Sequence, residues 1–497
     1  MRAQRLSPLL VLAFVGACTV GPDYRPPQPQ VPAQWTQRGS TLTSEPADLG
    51  AWWKTFHDPQ LNSLVSRAAA SNLELRAAAL RIAQARAQRD IAASGAWPSL
   101  NASGAYARTR ISERTATTSL LGLGQSTGAS PSGGVSGSIP GLTNPFDQFQ
   151  YGFDAAWEAD LFGRVSRSVE AADAGVQASV EERHDAFVSL AGEVARAYIE
   201  LRSAQREQVI ARDSLQTQRG ILELAQQRRN SGVGDDLDVA NAAAVVAGTQ
   251  AQLPLYQRRI TQAVNQLSLL LAQQPGALSE ELEAAQAVPP VPPRMPAGLP
   301  ADLVRRRPDI RAAEARLHAA TAQVGVATAD FFPDLTLHLG LGLQAERLKD
   351  LTDWASHFMS LGPSLELPVF DGGRRRATVR LQGLRAQEAA VGYAGAVLDA
   401  LHEVDNAAAA CNAEQERQAA LAAAVSQEQT ALQLAQQRYR SGIAGFIEVL
   451  DAERSQQQAQ LEQADSAAAT AASFVALYKA LGGGWEETDM EARRDLE

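Results

Sequence analysis

The residues with chemical potential are few and far apart. Six histidines, at 57, 184, 318, 338, 357 and 402, are spread over 497 residues with no i, i+4 pair, so the helical zinc-protease pattern is absent. Cys18 and Cys411 are the only thiols, which excludes a disulfide framework. Cys411 falls on an apolar helical stripe with Val397, Leu401, Val404 and Ala408, so it is expected in a core. Gly122-Leu123-Gly124 lies in a Gly/Ser-rich stretch without a strand-to-helix context, so it is not a nucleotide cradle, and there is no Walker A motif. What remains is electrostatic. Asp235, Asp236 and Asp238 follow Ser231-Gly232, and Glu448, Asp451 and Arg454 follow Ser441-Gly442. Such groups can hold or release a neighbour without turning over a substrate. The chain is expected to be no enzyme and to need neither metal nor cofactor.

These groups sit beside Ser-Gly pairs that break long helices where backbone freedom is needed. No proline occurs between Pro145 and Pro254 or after Pro368, so residues 164–230 and 374–440 can each form one helix. At 1.5 Å per residue each would be ~100 Å long. The first carries a heptad seam at Phe187, Leu190, Val194, Ala197, Leu201, Ala204, Gln208, Ala211 and Leu215, the mark of coiled-coil packing. Shorter helices over 61–96 and 235–272, stacked end to end, would span ~110 Å and match a long one.

The elements repeat. Arg76-Ala77-Ala78 through Trp97-Pro98-Ser99-Leu100 matches Arg311-Ala312-Ala313 through Phe332-Pro333-Asp334-Leu335, and Ala225-Gln226-Gln227-Arg228 matches Ala435-Gln436-Gln437-Arg438. Each half reads as a helix, a strand pair, a very long helix, a tip and a returning helix. The division expected is a signal peptide over 1–17 and an anchored segment over 18–60. Repeat one follows over 61–275, a Pro-rich linker over 276–305, repeat two over 306–485 and a tail over 486–497.

Near 335–343, 359–369, 149–158 and, more weakly, 100–106, apolar and polar residues alternate with period two. Each run is ~10 residues, the length a tilted strand needs to cross a bilayer. In an outer-membrane barrel the apolar face meets lipid and the polar face lines water, which would place His338 on the lumen side. The Gly/Ser-rich stretch 109–147 and the shorter 345–357 are the expected external loops. Four strands cannot close a barrel, and an open edge in lipid leaves backbone groups unsatisfied. Two copies would give eight strands and a filled interior; three give twelve and leave a bore.

The N-terminus reads as a targeting segment, with Arg2 and Arg5 before an apolar run from Leu9 to Val15 that is too short to span a bilayer. It ends in Val15-Gly16-Ala17-Cys18, similar to a bacterial lipobox, which implies a lipid on Cys18; Thr19 after it favours the outer membrane. The net charge of −10, with 42 Arg, 3 Lys and no basic block, gives a nucleic-acid partner no support.

Several segments together resemble the outer-membrane factors of tripartite efflux pumps, the lipoprotein branch that partners resistance-nodulation-division transporters. They are Trp52-Trp53 to Phe56-x-Asp58-Pro59-x-Leu61, Arg306-Arg307-Pro308-Asp309-Ile310, Phe370-Asp371-Gly372-Gly373-Arg374, and Leu477-Tyr478-Lys479 through Gly482-Gly483-Gly484-Trp485. The resemblance implies a mixed α and β membrane protein. Three copies would form a twelve-stranded barrel continuing into a twelve-helix periplasmic barrel, lipid-anchored in the outer membrane. Drugs or other small toxic compounds would pass through it from an adaptor and transporter. It further implies that Ser231, Gly232, Ser441 and Gly442 mark adaptor-docking tips, and that Ile447, Asp451 and Arg454 close the channel. The first-half counterparts Leu237, Asn241 and Ala244 lack the charged pair. Asp235, Asp236, Asp238 and Glu448 are the acids of the tips. A protein-secretion exit channel of the same fold and a periplasmic coiled-coil scaffold are the alternatives. The four lipid-length strands tell against the scaffold.

Overall fold

A computed structural model describes residues 19–36, 42–43, 49–110, 145–292, 294–296 and 298–486. In chain order the elements are β1 (Leu42–Thr43), α1 (Pro59–Ser71), α2 (Leu73–Ser94), β2 (Ser99–Thr109), β3 (Phe146–Ala159), α3 (Arg164–Asn230) and α4 (Asp236–Leu270). Then come β4 (Met295–Pro296), α5 (Pro300–Arg306), α6 (Pro308–Ala329), β5 (Asp334–Ala345), β6 (His357–Glu366), α7 (Arg374–Arg440) and α8 (Phe446–Ala480). The chain divides into two units: residues 1–24, 87–173 and 319–386, and residues 25–86, 174–318 and 387–497.

The first unit holds an antiparallel four-stranded sheet in the order β2-β3-β5-β6, so β2 and β6 are its edges. The register sets the faces. Ala102, Phe153, Leu341 and Met359 form one row across the sheet; Asn101, Asp154, Gly340 and Ser360 form the next, on the other face. His338 opposes Ala156 and Gly362 and shares the polar face. The apolar face stays open: Leu100, Phe153, Met359, Leu361 and Leu365 each keep half or more of their full exposure. A sheet that buried this face in a soluble core would show the reverse. On the polar face Gly342 must be glycine, because a Cβ there would meet the Tyr151 carbonyl oxygen at 2.6 Å and the Phe358 ring at 2.7 Å.

Strand β6 ends at Glu366, short of the expected Val369. Pro368 has no N–H to continue a ladder, so Leu367, Val369 and Phe370 leave the sheet and lie exposed. Residues 19–23 are fastened in the same unit. The Val20 N–H donates to the Phe162 carbonyl at 3.2 Å, Asp23 pairs with the buried Arg167 at 2.5 Å, and a Cβ on Gly21 would lie 2.5 Å from Gly325.

In the second unit all nine residues of the heptad seam of α3 are buried. Those from Phe187 to Leu201 join a core anchored by Trp52, Trp53 and Phe56, with Trp52 stacked on Tyr478 at 5.0 Å. Cys411 is in that core too, and burial pushes its thiol up to about 11. The helix expected over 61–96 is broken at Asn72, whose side chain accepts from the Glu74 and Leu75 N–H groups and so caps α2. The same amide donates to the Leu270 carbonyl at 2.9 Å, and Ser71 Oγ donates to Leu271 at 2.8 Å. The end of α4 therefore abuts the start of α2. Repeat two does the same: Arg307, before α6, donates to the Ala480 carbonyl at the end of α8, at 2.8 Å. In both halves a short helix is stacked on a short helix, with polar side chains satisfying the orphaned carbonyls at the joint.

Candidate functional site

The two helix tips, both in the second unit, share one backbone. At the end of α3 the N–H groups of Ser231, Gly232 and Val233 donate to Gln227, Arg229 and Arg228; at the end of α7 those of Ser441, Gly442 and Ile443 donate to Gln437, Tyr439 and Arg438. Gly232 has φ 74° and Gly442 has φ 73°, a left-handed conformation that glycine adopts without cost. All four expected tip residues, Ser231, Gly232, Ser441 and Gly442, are exposed. So are the turn hydrophobics Val233 and Ile443.

Side chains then distinguish the tips. Asp235 caps α4 by accepting from the Leu237 N–H at 3.2 Å, and Asp236 pairs with Arg229 at 2.5 Å. Asp238 is half-buried near Arg228 and Tyr439. Burial, then the neighbouring Asp235, hold its carboxyl above the ordinary range, while Arg228 and Tyr439 pull the other way. In the second tip Gly445 caps α8 without a side-chain bond, Phe446 is buried, and Glu448 reaches Arg438 only at 3.9 Å.

The tips are also tied to each other. Arg228 of the first lies 4.5 Å over the Tyr439 ring of the second and donates to the Tyr439 carbonyl at 2.6 Å. Tyr439 packs on Phe446 at 5.5 Å, within a small core that draws on α3, α4, α7 and α8.

The helical face of α8 explains the rest. Phe446, Val449, Leu450 and Glu453 turn inward, which leaves Ile447, Glu448, Asp451 and Arg454 outward and exposed. Asp451 and Arg454 lie one helical turn apart and have no hydrogen-bond or ion-pair partner among the described residues of the single chain. Glu453 was not foreseen. It is 1% exposed and accepts from Ser214 Oγ at 3.0 Å and Gln218 Nε2 at 2.8 Å, both on α3. Its sequence signal is a lone acid three and four residues after Leu450 and Val449 on an apolar stripe. The acids of the tips do not converge: no group of three or more His, Cys, Asp or Glu among the described residues could hold a metal. Cys18 lies outside the described residues, next to the fastened segment 19–23.

Comparison with known proteins agrees with this architecture over most of the chain. The profile of the Outer membrane efflux protein family matches residues 64–273 and 299–483. Outer membrane protein OprJ of Pseudomonas aeruginosa is 33% identical over 489 residues, covering 97% of this chain and 96% of its own. The toluene efflux pump outer membrane protein TtgC of Pseudomonas putida is 32% identical, covering 99% and 98%. The structure of the outer-membrane channel OprN superposes with a TM-score of 0.83 at 36% identity, covering 94% of this chain and all of that one. Four lipid-length strands, two duplicated tips and these matches lead to one conclusion: the chain belongs to the outer membrane efflux protein family.

Proposed function

We propose that three copies of this chain close a twelve-stranded barrel in the outer membrane, continue it as a periplasmic helical tunnel, and carry small toxic compounds outward. An adaptor docked at the tips and a resistance-nodulation-division transporter beyond it would supply the cargo. The observation that carries the reading is the sheet: its apolar face is exposed and both its edges, β2 and β6, are unpaired among the described residues. In lipid such edges must be satisfied by another copy. The protein acts as a conduit, so its own residues gate and position.

The gate is assigned to Ile447, Asp451 and Arg454. All three are exposed, and the charged pair has no partner among the described residues, so a neighbouring copy can meet it. Asp451 of one copy against Arg454 of the next would be a charge-assisted hydrogen bond repeated around the axis. Asp235, Asp236, Asp238 and Glu448 add negative charge at the tips, and a lipid on Cys18 would hold the fastened N-terminal segment at the membrane. A protein-secretion channel would share this fold. The toluene pump relative favours small cargo.

The gate is tested in planar bilayers. Asp451→Ala combined with Arg454→Ala should raise single-channel conductance several-fold; an unchanged conductance removes these residues from the gate. For the cargo, affinity capture recovering only an ABC transporter with a secreted protein would overturn the efflux reading.

A further inference from the structure

Two corners carry the chain from the sheet into the long helices, and only one of them is closed. Where β3 runs into α3, Asp160 caps the helix by accepting from the Val165 and Ser166 N–H groups at 3.1 and 2.7 Å. Phe162 stacks on Phe332 at 4.7 Å, Arg164 pairs with Glu158, and Arg167 pairs with Asp23 and Glu170 at 2.5 and 2.8 Å. The aromatic ring and the arginines of this corner thus find partners within the chain.

Where β6 runs into α7 the cap is again an aspartate. Asp371 accepts from the Gly373 and Arg375 N–H groups at 3.0 and 3.1 Å and from the Arg375 guanidinium at 2.9 Å, so its charge is spent. Its neighbours are left open. Leu367, Val369 and Phe370 are 56%, 90% and 92% exposed. Arg374, Arg376 and Arg380 are exposed too. Their side chains have no hydrogen-bond or ion-pair partner among the described residues. From 367 to 385 five arginines stand against one aspartate, in a chain whose net charge is −10.

The order of these side chains fits a membrane boundary. Leu367 and Val369 continue in sequence the odd-numbered run of Met359, Leu361 and Leu365, the exposed apolar face read as lipid-facing. Phe370 follows, and the first arginine comes four residues later. Arg374 to Arg380 span ~9 Å at 1.5 Å per helical residue. The headgroup layer beyond the hydrocarbon is ~5–8 Å thick on each side, so these guanidinium groups stand at the level of the phosphates. Arg376 and Arg380 lie one turn apart on one face of α7, and the arginine fork matches a phosphate with two hydrogen bonds. A free anion would satisfy the arginines and leave the apolar trio in water. One lipid with an anionic headgroup satisfies both.

We infer that the corner from Leu367 to Arg380 binds an anionic phospholipid of the periplasmic leaflet, its acyl chains against Leu367, Val369 and Phe370 and its phosphate on Arg376 and Arg380. This site rests on the barrel reading of the proposed function, because the periplasmic leaflet meets the corner only if the sheet spans the membrane.

The test places a nitroxide label on Phe370→Cys, and separately on Met359→Cys in the sheet. Both are made in the full-length protein in a Cys411→Ala background and reconstituted into mixed phosphatidylglycerol and phosphatidylcholine vesicles. A label at 370 among acyl chains is relaxed more by dioxygen than by a water-soluble nickel chelate. The reverse, or protection from both, overturns the site, because water or protein then covers the corner. If the label at 359 also responds mainly to the chelate, the barrel reading fails and the site with it. If only the label at 370 does, the barrel stands and the site falls. The headgroup is read by native mass spectrometry of the full-length protein with added lipid. Phosphatidylglycerol should be retained over phosphatidylcholine and should resist displacement by inorganic phosphate. Arg376→Gln combined with Arg380→Gln should weaken its retention several-fold without changing the number of protein copies. Equal retention of the two lipids, undiminished retention by the variant, or displacement by free phosphate each overturns the anionic-lipid site.

Discussion

The first tip is held by charges and the second by an aromatic core, on backbones that share the same turn hydrogen bonds. At equivalent positions the repeat places Asp236 where Phe446 stands and Arg229 where Tyr439 stands. Asp236 and Arg229 answer each other at 2.5 Å in solvent; Phe446 and Tyr439 pack at 5.5 Å, both almost fully buried. Duplication preserved the turn, because its geometry depends on Gly232 and Gly442, and let the side chains diverge. One consequence is that the second tip should be the stiffer of the two. Another is that only the second offers an outward Asp–Arg pair beside a fixed hydrophobic anchor, which is where a gate contact can be held without the helix yielding.

The sharpest way to break this comparison is to remove both members of the equivalent pair. Phe446→Ala should cost ~3–5 kcal/mol in the local stability of the tip core, as for a large buried aromatic truncated to a cavity. Asp236→Ala should cost ~0–1 kcal/mol, the range for exposed ion pairs. Hydrogen exchange of the first turns of α8 and α4 would read both. Equal losses would mean that the tips are held alike and that the repeats have not diverged in mechanism.

A smaller effect separates the tips by pH. The folded first tip favours protonated Asp238, because burial and Asp235 raise its pKa above the unfolded value. Its packing is therefore fully present below the ordinary carboxylate value and is lost progressively as pH rises through the raised one. Hydrogen exchange at the start of α4, followed across the acid range, should slow as pH falls after correction for intrinsic rates, and Asp238→Asn should abolish the trend. A trend of the same size in that variant would assign the effect to another group.

The long elements were legible in the sequence for one physical reason. A run without proline lets one helix continue until a Ser-Gly pair breaks it, so α3 and α7 span 164–230 and 374–440 as expected; periodicity is strong where a helix buries a regular stripe, and every member of the α3 seam from Phe187 to Leu215 is buried. Ile447, Asp451 and Arg454 stand out in the sequence through resemblance alone, since their exposure depends on which face of α8 the core claims. What stayed hidden was local or long-range in origin. The break at Asn72 depends on carbonyls 198 and 200 residues away at Leu270 and Leu271, which no window of sequence brings near. The Arg228–Tyr439 contact crosses 211 residues between the repeats, and Glu453 found its partners on α3 at a distance of 235 and 239. The two-residue pairing of β1 with β4 is too short for any periodic signal.

The smallest predicted effect sharpens the comparison from the opposite side, by giving the second tip what the first has. Asp235 caps α4 with its side chain, whereas Gly445 caps α8 with none. Gly445 has φ −77° and ψ 158°, an extended conformation open to any residue, and a Cβ built there meets nothing within 4 Å. Gly445→Asp should therefore adopt the cap without strain and stabilise the tip by ~0.3 kcal/mol, the usual margin of Asp over Gly at that position. Its carboxylate would also sit at the positive end of α8, close to Glu448, and that like charge works against the gain. Slower hydrogen exchange in the first turn of α8 would show that the second tip lacks only a cap. Faster exchange would show that its acids already saturate the helix end, so that glycine there relieves a repulsion the first tip tolerates because Arg229 and Arg228 stand opposite its acids.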